Sequence, residues 1–143
     1  MNNLTDKQLA FLKNNRAAAM ITPAEDGIPR AVRVGIALVD GKLWSSGTLD
    51  RVRTGRLRQN PVCTLFVFDT TWNFLTLETR VRLIEGDDVP ELSARMFRQM
   101  QNHPTGAINW FGKEMTEEEF KQTMIDEKRL IYEFDVTRAY GMV

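Results

Sequence analysis

Apolar residues recur along this chain with two different periods, and the alternation between them outlines the fold. Near the N-terminus Thr5 and Gln8 stand at capping-box spacing, with Leu4 and Leu9 placed as the hydrophobic staple around them. They predict a first helix that fades at Asn14-Asn15. AAAMIT, residues 17–22, reads as a buried strand ended by Pro23 and Gly27. In RAVRVGIALV, residues 30–39, the period falls to two. Val32, Val34, Ile36 and Leu38 alternate onto an expected core face. The opposite face carries Ala31, Arg33, Gly35, Ala37 and Val39 and is nearly bare, so either a flat ligand or a packed helix or strand can approach the backbone there. Asp40-Gly41 is a strong two-residue hairpin signal, and KLWSS returns antiparallel.

Two more strands follow, VCTLFVF (62–68) and a long one over 72–86. In the second, Leu75, Leu77, Val81 and Leu83 oppose Thr76, Glu78, Arg80 and Arg82. Pro90 opens a helix with Leu92, Met96, Phe97 and Met100 at helical spacing, expected to be core. Thr116 and Glu119 form a second capping box with Met115 and Phe120 as its staple. A closing strand over 129–136 alternates Leu130, Tyr132, Phe134 and Val136. Strands that follow one another directly pair antiparallel. The expectation is therefore a mainly β (α+β) fold, a six-stranded antiparallel barrel with peripheral helices, rather than a doubly wound sheet.

The 143 residues form one expected domain, 1–143, long enough for a real core. Nineteen basic and nineteen acidic side chains balance, which argues against general binding to nucleic acid or a membrane surface. The opening MNNLTDKQLAFLKNN has no signal-peptide apolar region, and no apolar run is long enough to span a bilayer, so a cytoplasmic protein is expected. The single Cys63 lies in an apolar run and is expected to be a reduced core residue.

Counting removes most catalytic chemistry. One histidine, His103, in the polar segment QNHPTG, excludes a His/Cys metal site and leaves a serine triad without its nucleophile turn. Asp87-Asp88 precede a Pro-opened helix, whose positive end they suit. No phosphate-binding glycine motif is present.

What remains is a cationic knot, Arg51, Arg53, Arg56 and Arg58, between two strands. It reads as a short helix capped by Thr48 or Asp50. On a helical wheel Arg51 and Arg58 share one side and Arg53 and Arg56 another, so the four cannot all meet one phosphate. Arg51 and Arg53, at the helix start with the Ser46 and Thr48 hydroxyls upstream, are the candidates to bind a phosphate by charge-assisted bonds and the helix dipole. Arg56 and Arg58 are expected to be solvated or paired with acids. A phosphate site beside a bare strand face describes a phosphorylated planar cofactor, which would carry the redox chemistry itself. The plain alternative is that the knot is only surface charge.

Residues 26–67, from DGIPRAVRVGIALVDG to VCTLFV, resemble the cofactor-binding core of the pyridoxamine-phosphate-oxidase-like split β-barrel superfamily. The Gly27-Ile28-Pro29 turn, the basic residues before Arg58-Gln59-Asn60-Pro61, and the terminal Arg138-Ala139-Tyr140-Gly141 carry the resemblance. The ending MIDEKRLIYEFDVTRAYGM is similar to the flavin/deazaflavin oxidoreductase branch, in particular its B group. The resemblance implies an FMN-binding split-barrel fold and a homodimer with cofactor sites between subunits. It implies that Arg51 and Arg53 grip the phosphate, with Ser46 and Thr48 nearby, and that Val34, Gly35 and Ile36 lie against the ring. Trp72 and Phe74 would be supplied by the partner.

The sequence departs from the family pattern at Arg53, where Lys is common, at Gly55, where Asn is frequent, and at Thr79, where many relatives have Gly. Coenzyme F420 and FMN both suit the scaffold. F420 is favoured because its oligoglutamate tail would find Arg33, Arg56 and Arg58. The implied activity is an F420H2-dependent reductase acting on a small conjugated or quinone-like acceptor. The alternatives are an FMN-dependent oxidoreductase and a non-enzymatic flavin or deazaflavin carrier.

Overall fold

A computed structural model of the protein describes residues 4–143; Met1, Asn2 and Asn3 of the N-terminal stretch lie outside them. The chain order is α1 (Asp6–Asn14), β1 (Ala17–Thr22), β2 (Arg30–Gly35), β3 (Ala37–Val39), β4 (Lys42–Thr48), α2 (Val52–Gln59), β5 (Val62–Phe68), β6 (Phe74–Ile84), α3 (Val89–Gln101), β7 (Ile108–Trp110), β8 (Lys113–Met115), α4 (Glu117–Asp126) and β9 (Arg129–Met142). Both expected capping boxes are present. Thr5 accepts from the Gln8 N–H and Thr116 from the Glu119 N–H, with the reciprocal side-chain bonds made.

Seven strands form one antiparallel sheet in the order β2-β1-β5-β6-β9-β4-β3, and β7 and β8 form a separate ribbon. The sheet has one strand more than the six expected because residues 30–39 do not run straight. Ile36 breaks the run, its N–H donating to the Arg16 carbonyl at 2.8 Å. The two halves therefore sit at opposite edges of the sheet order, joined by a single residue. A sheet whose two edge strands are consecutive in the chain must curl back on itself, and this produces the split barrel.

The corner also changes which residues are inside. Val34 and Ile36 are buried as expected, but Val32, on the edge strand, is exposed, and Ala37 and Val39 are buried where a bare face was expected. They pack with Trp44, Met96 and Ile131 in a cluster beneath α3. The barrel interior holds Met20, Leu43, Leu65, Leu77, Tyr132 and Phe134, each 1% exposed or less. Burial of this kind contributes roughly 2 kcal/mol per large apolar side chain. A third cluster, Ile108, Trp110, Met115, Phe120 and Met124, joins α3, α4 and the ribbon. No helix among the described residues is long and apolar enough to cross a membrane.

Candidate cofactor site

The site is assembled where β4 hands the chain to α2. Gly47 is required there, since a Cβ at this position would overlap the Tyr132 ring. The Tyr132 hydroxyl meets Thr54 Oγ1, which donates to the Thr48 carbonyl at 2.7 Å. This buried chain ties the first turn of α2 to β9 and β4.

The caps expected for α2 are not the ones found. The Thr48 hydroxyl donates to Asp50 Oδ1 at 2.7 Å, so the two candidate caps are engaged with each other. Arg51 occupies the N-cap, and no side chain caps the helix. The positive end of α2 therefore opens without an acid in its first turn, a setting that favours an anion.

Of the knot, Arg58 donates from Nη1 to Glu85 Oε2 at 3.2 Å, an ion pair at the protein surface. Arg56 donates to Thr22 Oγ1 at 3.2 Å. Arg53 differs. It is half-buried, its guanidinium stacks over Tyr132 at 5.8 Å, and no carboxylate pairs with it among the described residues. Burial holds its pKa below the ordinary arginine value. The positive charges of Arg51 and Arg129 press the same way, against the opposing influence of Tyr132. The guanidinium nonetheless keeps its proton. Its Nε is buried with no hydrogen-bond partner, and so is the Ser46 hydroxyl. Orphaned buried polar atoms are rare and costly in a folded protein; here two converge on one hollow.

That hollow, about 330 Å³, is lined by Arg33, Val34, Gly35, Ser46, Arg51 and Arg53. Phe97, Met100, Gln101, Trp110, Phe111 and Arg129 also line it. Its charged lining is entirely arginine, so no side chain there is suited to general acid–base work. A wider cleft of about 870 Å³ shares Arg51, Arg53 and Arg129 and continues past Arg30, Arg56 and Lys128. Three acids, Asp50, Asp126 and Glu127, also border it.

Six of the sequence-derived candidates, Arg33, Val34, Gly35, Ser46, Arg51 and Arg53, thus converge on the smaller hollow, and Thr48 lines the larger. Ile36 points into the barrel core and lines neither. At Gly35 a Cβ would stand 2.6 Å from Met100 Cε, so the bare backbone there is met by the tip of a flexible side chain from α3. Trp72 and Phe74 sit apart, at the β5–β6 turn.

The sequence reading missed Arg129, Trp110, Phe111, Met100 and Gln101. Arg129 arrives because β9 pairs with β4 in the register Thr48↔Arg129. It stacks on Trp110 at 4.8 Å and pairs with Glu127 at 2.6 Å. No local pattern marks that pairing.

The sheet face beyond the hollow carries an aromatic patch among polar residues. Register places Arg33, Ala19, Phe66, Thr76 and Tyr140 in one row across β2, β1, β5, β6 and β9. Phe68, Phe74 and Met142 make a neighbouring row. Phe66 packs at 5.6 Å from both Phe68 and Phe74, while Phe68, Tyr140 and Met142 stay exposed and Trp72 is 87% exposed.

Comparison with known proteins agrees with this architecture. A conserved hypothetical protein from Mycobacterium tuberculosis superposes with a TM-score of 0.74 at 19% identity, over 97% of this chain and 84% of that one. A solved F420 reductase superposes at 0.72 and 15% identity, over 96% and 98%. An FAD-binding protein from Mesorhizobium loti does so at 0.65 and 16%, over 96% and 94%. No curated protein matches the chain significantly. The sequence itself matches the pyridoxamine 5'-phosphate oxidase family over residues 4–142, and with the split-barrel fold described above the chain belongs to that family.

Proposed function

We propose that the protein is an F420H2-dependent reductase, an oxidoreductase acting on a small conjugated or quinone-like acceptor. The observation that carries the reading is the pair of buried, unpartnered polar atoms, Arg53 Nε and Ser46 Oγ, beside Arg51 and Arg129. A phosphate held by Arg51 and Arg53 would neutralise a half-buried guanidinium that no carboxylate pairs with among the described residues, and a small shift of the surrounding side chains would open the two orphaned atoms to its oxygens. Val34 and Gly35 border the space where the planar ring would lie.

When bound, the reduced deazaflavin supplies a hydride to the acceptor. The chain's own part is to hold the phosphate, orient the ring and shield it from water. Because only arginines supply charge to the hollow, no side chain there delivers a proton, and solvent fills that role. FMN offers the same phosphate and a similar ring. The wider cationic cleft past Arg30, Arg56 and Lys128 favours the carboxylate tail of F420, as does the likeness to a protein described as an F420 reductase.

The exposed apolar rows around Phe66, Phe68, Tyr140 and Met142 support a homodimer, since large exposed apolar patches mark interfaces. Their first row ends at Arg33, which lines the hollow, so a second copy seated on this face would border the site. It would bring Trp72 and Phe74 of the partner toward that border.

Fluorescence titration of the purified protein with FMN and with F420, run beside sedimentation at micromolar concentration, tests the reading. F420 binding by a dimer that reduces an enone or quinone is the expected result. Tight FMN binding with F420 ignored replaces it with the FMN-dependent oxidoreductase. F420 binding without turnover of any acceptor replaces it with a carrier. A monomer removes the shared site.

A further inference from the structure

The turn that closes the β7–β8 ribbon carries a residue that its backbone disfavours. Trp110 pairs with Lys113, leaving Phe111-Gly112 as a two-residue loop. Both are left-handed, with φ of +50° and +83°, as a type I′ turn requires. Asn, Asp and Gly suit the first position, and a bulky aromatic there is an outlier. Burial does not compensate, because Phe111 is 85% exposed; its ring meets Trp110 in a T-shaped contact, 4.8 Å between centroids.

Other residues hold the turn in place. Gln101 Nε2 donates to the Asn109 carbonyl at 2.7 Å, and its Oε1 accepts the Asn109 N–H at 2.9 Å. The Gly112 N–H donates to Asn109 Oδ1 at 3.0 Å. Trp110 behind the turn is fixed by the Arg129 guanidinium at 4.8 Å, Phe97 at 5.2 Å and Phe120 at 5.7 Å. A strained residue whose surroundings over-determine it, and whose own packing is limited to one aromatic contact at the surface, is a mark of function. The ring lines the same hollow as Val34, Gly35, Ser46 and Arg53.

We propose that Phe111 is the aromatic cover of the planar ring bound in this hollow. The inference rests on reading the hollow as the cofactor site. It assigns the cover to this chain's own ribbon, in addition to whatever a partner subunit brings. An exposed phenyl beside a planar heterocycle gains offset-stacking or edge contact and loses its own contact with water.

Phe111→Asn restores the residue type the turn prefers while deleting the ring, and Phe111→Tyr keeps the ring. The measurements are thermal unfolding without ligand and fluorescence titration with FMN and F420. Phe111→Asn is expected to unfold at the wild-type temperature or above and to bind the cofactor roughly tenfold more weakly. Phe111→Tyr is expected to bind within about twofold of wild type, since it retains the stacking ring. Wild-type affinity in Phe111→Asn overturns the inference and leaves the cofactor reading standing. A clear fall in its unfolding temperature also overturns it, because the ring would then be holding the ribbon. Failure of the wild-type protein to bind either cofactor overturns the cofactor reading and the inference together.

Discussion

Arg53 and Arg58 ride on the same short helix and differ in almost everything but residue type. Arg58 reaches across to Glu85, which lies far off in sequence, and completes an ordinary surface ion pair. Arg53 turns inward, is half-buried against Tyr132, and ends with a buried Nε that nothing in the described chain satisfies. Evenly spread cationic residues can thus hold two kinds of charge. One is paired with an acid at the surface; the other is half-buried with no carboxylate beside it among the described residues, the setting on which the proposed phosphate contact rests. The difference lies in which side of α2 faces the β4–β9 seam.

The largest expected effect breaks the inward side. Arg53→Ala removes a charge-assisted contact of about 1.5 to 3 kcal/mol, so cofactor affinity should fall roughly ten- to a hundredfold in a binding titration. A phosphate-free analogue of the cofactor should bind this variant and the wild type about equally. Full affinity in a folded Arg53→Ala protein would return the knot to plain surface charge.

Ser46→Ala is the next test, and it separates binding from folding. Loss of a neutral hydroxyl contact, about 0.5 to 1.5 kcal/mol, should weaken binding roughly two- to tenfold. The ligand-free protein should be as stable as wild type or more so, because a buried hydroxyl without a partner is removed. A drop in unfolding temperature together with unchanged affinity would show that the hydroxyl has a structural partner.

Arg58→Ala sharpens the contrast from the outward side, with affinity within about twofold of wild type because an exposed pair contributes little. Its small stability effect should depend on pH in a set direction. The hydrogen bond from Arg58 holds the Glu85 carboxyl below the usual carboxylate range. The contribution is therefore fully present above the ordinary glutamate pKa and is lost as pH falls through the lowered one. Unfolding temperatures of wild type and variant should differ slightly near neutrality and converge in acid. A gap that persists in acid would mean that Arg58 acts through packing.

The two tight hairpins divide what could be read locally from what could not. Asp40-Gly41 and Phe111-Gly112 share the same backbone, both pairs at positive φ. The first carries the residues the turn chemistry demands and is legible as a hairpin from its residue types alone. The second carries a phenyl where Asn or Asp would signal a turn, and the whole β7–β8 ribbon is invisible in the pattern. If Phe111 serves a ligand, the local rule fails there because the position answers to something outside the turn.

Local physics in the sequence was sufficient for both capping boxes, the Asp40-Gly41 turn, the alternation of Leu130, Tyr132, Phe134 and Val136, and the concentration of arginine on α2. Each depends on residues within a turn or two of one another, whose spacing is written in the chain. The site needed more. The corner at Ile36 exists because its N–H finds the Arg16 carbonyl. Arg129 enters because β9 lies against β4, and Arg58 is neutralised because Glu85 happens to face it. Those are pairings between distant segments, chosen by how a seven-stranded sheet curls to bury its apolar face. Only that closure decides which cations meet an acid and which are half-buried without one.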